Sequence, residues 1–153
     1  MNLRLKEIRE KNDLSGRKTA TKLNISKSVY NYYETGKRII TTKNLNKFCN
    51  AFDCSMDYAL GLSNFNIISK KKFKIDKALS GKRIREIRKE NNLSQDILAD
   101  MLNTTQSTIS AYETGRVLII TAFLYEIAKK LNVSADYLIG RSNTKQIYIK
   151  EKN

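Results

Sequence analysis

Two clusters of side chains in this chain are spaced to share a helix face and the turns that flank it. One is Gln95, Thr105, Gln106, Ser107, Thr108, Ser110, Ala111 and Arg116. The other is Arg17, Lys18, Ser26, Lys27, Ser28, Asn31, Tyr32, Lys37 and Arg38. Amides, hydroxyls and cations of this kind make hydrogen bonds and ion pairs, but they do not break covalent bonds unaided. The residue types that would do so are scarce, with no histidine and two cysteines. Histidine general-base, serine–histidine and histidine–metal chemistry are therefore absent. No catalytic set is visible, and neither a metal nor a cofactor is expected.

The charge names a class of partner. Twenty-nine Lys and Arg against 15 Asp and Glu give a formal charge of +14. An excess that large attracts polyanions, and DNA, RNA and anionic lipid all qualify. No stretch approaches the roughly 18 apolar residues of a membrane span. The opening residues, MNLRLKEIRE, are too charged for a signal peptide. Nucleic acid is the leading partner and the cytoplasm the expected compartment. Proline is absent, so no helix is broken by one.

Stepping the sequence by 79 residues aligns Arg4–Asn64 with Arg83–Asn143 without a gap, and about 24 of the 61 pairs are identical. Glu7-Ile8-Arg9 matches Glu86-Ile87-Arg88, and Tyr33-Glu34-Thr35-Gly36 matches Tyr112-Glu113-Thr114-Gly115. A match of this length means two copies of one fold, each near the lower limit for independent folding. The expected layout is copy 1 over 1–64, a basic linker over 65–80, copy 2 over 81–143 and a tail over 144–153.

Copy 2 reads as five short helices. The first covers 82–90, with Ile84 and Ile87 inward. Ser94 caps a second over 95–102, with Leu98, Ala99 and Leu102 inward. Asn103 marks a sharp turn in the left-handed region. Thr105 caps a third over 106–113, with Ile109 and Tyr112 inward, and Gly115 fits a helix-ending position of positive φ. A fourth covers about 121–131, with Leu131 among its inward residues. Ser134 caps a short fifth. Copy 1 repeats the scheme near 3–11, 16–23, 27–34, 42–52 and 56–60. The expected class is all-α, and the tight turn between the second and third helices is a helix-turn-helix.

The run Leu93-Ser94-Gln95, Ala99, Leu102, Thr105-Gln106-Ser107-Thr108-Ile109-Ser110, Tyr112-Glu113 and Gly115 resembles the Cro- and lambda-repressor-like family of DNA-binding domains. The ending Leu131-Asn132-Val133-Ser134-Ala135-Asp136-Tyr137-Leu138-Ile139-Gly140 is similar to that family's last helix. The resemblance covers nearly all of 81–143 and, more weakly through the repeat, 3–64. It implies a third helix lying in the major groove with its first residues at the base edges. In copy 2 Gln106, Ser107, Thr108, Ser110 and Ala111 would face the bases. Gln pairs two-pronged with adenine, and the Ala methyl can touch a thymine methyl. In copy 1 the matching positions are Lys27, Ser28, Val29, Asn31 and Tyr32, so the two helices should read different sequences. The bland alternative is an ordinary solvated helix face.

The same resemblance places Gln95 against a phosphate. Copy 1 has Gly16 there, followed by Arg17, Lys18 and Lys22. It also implies scaffold ion pairs, Arg88 with Glu113 and Arg9 with Glu34. Ala20 and Ala99 read as close-packing residues. After the third helix, copy 1 carries Lys37 and Arg38, while copy 2 carries Arg116, Val117 and Leu118. The apolar pair implies a protein contact, between copies or between chains in a homodimer, or a fold-back onto the core. Cys49 and Cys54 match Ala128 and Val133, so buried thiols are expected rather than a metal site.

Residues 1–64 carry a net +6, the linker +4 and residues 81–143 a net +2. Copy 1 and the linker should therefore supply general attraction to DNA, and copy 2 more of the reading. The linker holds β-like runs at Asn66–Ser69 and Phe73–Ile75, and the tail one at Gln146–Ile149. These read either as a small sheet or as a flexible basic connector. Sixteen extended residues reach roughly 50 Å, and adjacent major grooves on one DNA face lie about 34 Å apart. The copies thus suit neighbouring half-sites. The function expected is a transcriptional regulator, a repressor acting by promoter occlusion. The alternative is an antitoxin-like protein-interaction module in which one copy holds a protein.

Overall fold

The computed structural model describes residues 1–67 and 70–149. Among the described residues there are helices and no strands. Copy 1 holds α1 (Leu5–Lys11), α2 (Gly16–Leu23), α3 (Lys27–Glu34), α4 (Thr42–Phe52) and α5 (Met56–Ala59). Copy 2 holds α6 (Lys77–Glu90), α7 (Gln95–Met101), α8 (Gln106–Glu113), α9 (Thr121–Lys130) and α10 (Ala135–Ile139). Contacts divide the described residues into two compact units. One is Met1–Phe73 with Tyr148 and Ile149, and the other is Lys74–Ile147. No helix among the described residues is long and apolar enough to cross a membrane.

The helix starts follow from side-chain caps. Ser15, Ser26, Thr41 and Ser55 each accept from a first-turn amide in copy 1. Ser94, Thr105 and Ser134 do so in copy 2. Each such bond satisfies a donor that the helix itself leaves open and is worth about 1 kcal/mol. The turns before the third helices pass through left-handed residues, Asn24 at φ 55° and Asn103 at φ 53°. Asparagine tolerates that conformation better than other side chains.

Each copy wraps its own core. In copy 1 it is built on Leu5, Ile8, Leu23, Tyr30, Leu45, Phe48, Met56 and Leu60; in copy 2 on Ile84, Ile87, Leu98, Ile109, Leu124, Ile127 and Leu138. Cys49 and Cys54 are buried in the first core, where the repeat puts Ala128 and Val133. No cluster of three or more metal-ligating side chains occurs among the described residues. Leu131, expected inward, is only half-buried.

An arginine closes each copy in the same way. Arg4 donates to Tyr58 O, to Ser63 O and, at 2.7 Å, to Asn64 Oδ1. Arg83 donates to Tyr137 O, to Ser142 O and, at 2.8 Å, to Asn143 Oδ1. Both guanidinium groups also lie over a tyrosine ring, 4.6 Å from Tyr58 and 4.3 Å from Tyr137. A planar fork with several donors is suited to this kind of multiple capture.

The linker differs from expectation. α6 begins at Lys77, not near residue 82, so Lys77–Ser80 of the expected linker are helix. The Asp76 carboxylate caps it by accepting from Ala78 N and Leu79 N. Hydrophobic periodicity does not reveal this turn because its buried residue, Ser80, is polar and Leu79 is only half-buried. Ahead of α6, Lys72 and Phe73 are held against α4 and the residue that follows it. Asn46 and Asn50 of α4 both donate to Phe73 O at 2.9 Å, and Phe73 N donates back to Asn50 Oδ1. The side chain of Lys72 reaches Asp53 at 2.9 Å. Of the three β-like runs, Phe73–Ile75 and Gln146–Ile149 form no strand, and neither do Asn66 and Ile67. Positions 68 and 69 of the first run lie outside the described residues. The Ser63 hydroxyl donates to Tyr148 O, which anchors that part of the tail to copy 1.

Candidate nucleic-acid interface

In copy 2, α7 and α8 meet closely at Ala99, which is 2% exposed. A larger side chain there would force the two helices apart. The Arg88 guanidinium of α6 grips the Glu113 carboxylate of α8 with two hydrogen bonds, at 2.5 and 3.1 Å, and also donates to Leu93 O. From Glu113 the network continues outward. Gln95 Nε2 donates to Glu113 Oε2 at 2.8 Å, and Gln106 Nε2 donates to Gln95 Oε1 at 2.6 Å. One hydrogen-bonded line thus runs from the buried ion pair to the exposed first residue of α8. It fixes which way both amides point, leaving the Gln106 carbonyl oxygen and one of its N–H groups for an outside partner.

Copy 1 keeps the ion pair and loses the line. Arg9 donates to Glu34 at 2.6 and 3.2 Å and to Leu14 O at 2.9 Å. Where copy 2 has Gln95 and Ile109, copy 1 has Gly16 and Tyr30. The phenol ring lies beside Gly16, with Tyr30 Cδ1 at ordinary contact distance, 3.8 Å, from where a Gly16 Cβ would stand. Burial, with the Glu34 carboxylate beside it, pushes the Tyr30 hydroxyl far above its ordinary range. Burial would also raise the Glu34 carboxyl, but the Arg9 guanidinium and the Tyr30 hydroxyl outweigh it and hold Glu34 below its usual value. The guanidinium groups of Arg9 and Arg88 are correspondingly raised, each by its glutamate.

The sequence-derived residues divide clearly. Gln106 and Ser107 are exposed at the start of α8, and Thr108 and Ser110 are half-exposed on the same face. Thr105 is exposed, caps the helix, and shares a hydrogen bond with the Thr108 hydroxyl at 3.0 Å. Ala111 is a correction: it is 7% exposed, with little surface to offer. The loop after α8 folds back over it, Val117 N donating to Ala111 O at 3.2 Å. Counting helix phase alone cannot see that cover. Val117 is 48% exposed and Leu118 half-buried, so the loop only partly folds onto the core. Arg116 is exposed beside it.

In copy 1 Lys27, Ser28 and Asn31 are exposed on α3, Ser26 is its exposed cap, and Tyr32 is half-exposed between two cations. Lys37 Nζ lies 5.6 Å and the Arg38 guanidinium 5.2 Å from its ring centre. Arg17 and Lys18 are exposed in the first turn of α2. At the matching places α7 exposes Asp96 and Ile97, with Asp100 one turn on. This reversal of charge was not singled out from sequence, although the gapless repeat displays it.

Sequence reading also missed what props α8 from behind. A Cβ on Gly81 would come within 2.3 Å of Tyr112 O and 2.6 Å of Glu113 O. Gly115, at φ 71°, sits against Ala78, whose Cα would be 2.9 Å from a Cβ there. The added first turns of α6 therefore press on the end of α8 and the loop that follows. Gly36 in copy 1 has nothing within 4 Å of its Cβ position.

Two family models match the chain. One, described as a helix-turn-helix domain, covers residues 81–143, and the other, described as helix-turn-helix, covers residues 5–58. No curated protein matches. Among solved structures, the P22 c2 repressor protein in complex with a synthetic operator is 31% identical over 42% of this chain and 97% of its own, with a TM-score of 0.40. The restriction-modification controller protein C.AhdI from Aeromonas hydrophila is 26% identical over 40% of this chain and 92% of its own, with a TM-score of 0.37. With a helix-turn-helix match over each copy and the same five-helix arrangement in both, the chain belongs to the helix-turn-helix family of DNA-binding regulators, as two Cro- and lambda-repressor-like domains in tandem.

Proposed function

We propose that the chain is a sequence-specific repressor of transcription that binds double-stranded DNA with both copies and acts by occluding a promoter. The observation that carries the reading is the line Arg88–Glu113–Gln95–Gln106. Side chains held in place before binding lose less freedom on contact. An oriented glutamine at the start of a groove-sized helix suits the two-pronged recognition of adenine. Ser107, Thr108 and Ser110 extend that face, with Thr105 at its edge and Arg116 beyond it.

Copy 1 contributes attraction over a different sequence. Lys27 favours guanine and Asn31 adenine, with Ser26, Ser28 and Tyr32 around them. Arg17, Lys18, Lys37 and Arg38 neutralise phosphates. Since α3 and α8 present different groups, the operator has two unlike half-sites.

The test is selection of random duplex fragments on the full chain at fixed salt, followed by sequencing. Enrichment of a composite site with two unlike halves is the expected result. Uniform retention of all sequences would reduce the protein to a nonspecific binder. The antitoxin-like reading, in which one copy holds a protein, is favoured by the exposed Asp96, Asp100 and Ile97 on α7. Failure to retain any duplex would decide for it.

A further inference from the structure

Residues 38 and 117 occupy the same place in the two copies, and the same backbone bond fixes them. Arg38 N donates to Tyr32 O at 3.1 Å, as Val117 N does to Ala111 O at 3.2 Å. In each copy the bond lays the loop residue against the side of the third helix. Copy 1 puts a cation over an aromatic ring there, whereas copy 2 has two aliphatic residues, Ala111 and Val117, at those places. Val117 stays 48% exposed above the nearly buried Ala111. With Ser107, Thr108, Tyr112 and Arg116 they line an open groove of about 300 Å³. Ser107, next to Gln106 in α8, and the Arg116 cation both belong to its lining.

The aliphatic part of this lining, Val117 and Ala111, suits a small apolar group, and the Ser107, Thr108 and Arg116 around it suit a carrier that is polar and anionic. Duplex DNA offers one such group in the major groove, the C5-methyl of thymine. We propose that Val117, supported by Ala111, reads a thymine methyl in the half-site of copy 2. The inference rests on the DNA-binding function above and deepens it. It moves the apolar contact from Ala111, which is covered, to the residue that covers it.

The experiment uses the full chain and the duplex enriched by selection. Each thymine is replaced in turn by deoxyuridine, which removes only the C5-methyl, and Kd is measured at constant salt. One replacement should weaken the wild-type protein about fourfold, the worth of one buried methyl. The same replacement should leave Val117→Ala nearly unaffected. Because Val117 is exposed, this variant should keep the wild-type circular dichroism, which is checked in parallel. A wild-type protein indifferent to every replacement, or a loss that persists in Val117→Ala, overturns the proposal and leaves the DNA-binding function standing. A change in the sedimentation of the free protein on Val117→Ala, without that coupling to deoxyuridine, assigns the groove to a second copy of the chain and overturns it too. If no duplex is enriched at all, both readings fail together.

Discussion

Copies 1 and 2 share a backbone plan and differ in how they hold the third helix. In copy 2 the end of α8 is pressed by α6 at Gly81, and its beginning is tied through Gln95 to a buried ion pair. In copy 1 Gly16 stands where Gln95 would be, so that tie is missing, and Gly36 after α3 has no neighbour within 4 Å of its Cβ position. The charges run the other way: Arg17 and Lys18 on α2 stand where α7 has Asp96 and Ile97. The pairing teaches that rigidity and charge are separable ways for one domain to hold DNA. A preorganised helix favours discrimination, while mobile surface cations favour attraction over any sequence.

The sharpest break of this comparison is at the ion pairs. Glu113→Ala leaves Arg88 buried without its partner and should cost copy 2 about 3–5 kcal/mol by chemical denaturation. Glu34→Ala should cost copy 1 less, since the side chains of Arg9 and Glu34 are 14% and 11% exposed against 9% and 3% for Arg88 and Glu113. Equal costs would show that the deeper burial of the Arg88–Glu113 pair carries no extra stability.

Gly81→Ala comes next. Its Cβ collides with backbone rather than a movable side chain, so copy 2 should lose about 1–3 kcal/mol. Duplex affinity should fall as α8 shifts. A neutral thermal melt would show that α6 does not brace α8.

Thr19→Val should act in the opposite direction. The Thr19 hydroxyl is buried without a hydrogen-bond partner, where copy 2 has Leu98. Exchanging it for a methyl should stabilise copy 1 by about 1 kcal/mol in the same denaturation assay. On the binding side, Arg17→Ala with Lys18→Ala should flatten the plot of log affinity against log salt by up to about 1.8. An unchanged slope would show that these cations face away from the phosphates.

The smallest effect concerns acid. Because Glu34 is held below its usual value when folded, its pairing contributes fully above the ordinary carboxylate range. The contribution is lost as pH falls through that range and below. The stability gap between the wild type and Glu34→Gln should therefore narrow below about pH 4.

Much of this was legible in the sequence, because the repeat supplies two readings of every position. Helices α2, α3 and α8 lie where caps and periodicity put them. The Arg–Glu pairs stand where the family resemblance implied them. What escaped was contact between residues far apart in the chain. The clamps of Arg4 and Arg83 span up to 60 residues. Their only sequence signal was identity at both ends of the repeat. The start of α6 escaped because a single turn behind an Asp cap, whose buried residue is the polar Ser80, shows no apolar stripe. Ala111 was misplaced because helical phase assigns a face but says nothing of a loop lying on that face. Gly81 lacked any signal, since copy 1 has Asn2 at that position.

The arginine clamp has a consequence for lineage and engineering. It brings the first and last residues of a copy to within one side chain's length of each other. A module whose ends meet can be inserted or strung in series without reshaping its interior. Gene duplication could thus produce this chain in one step, after which each reader was free to drift toward its own text.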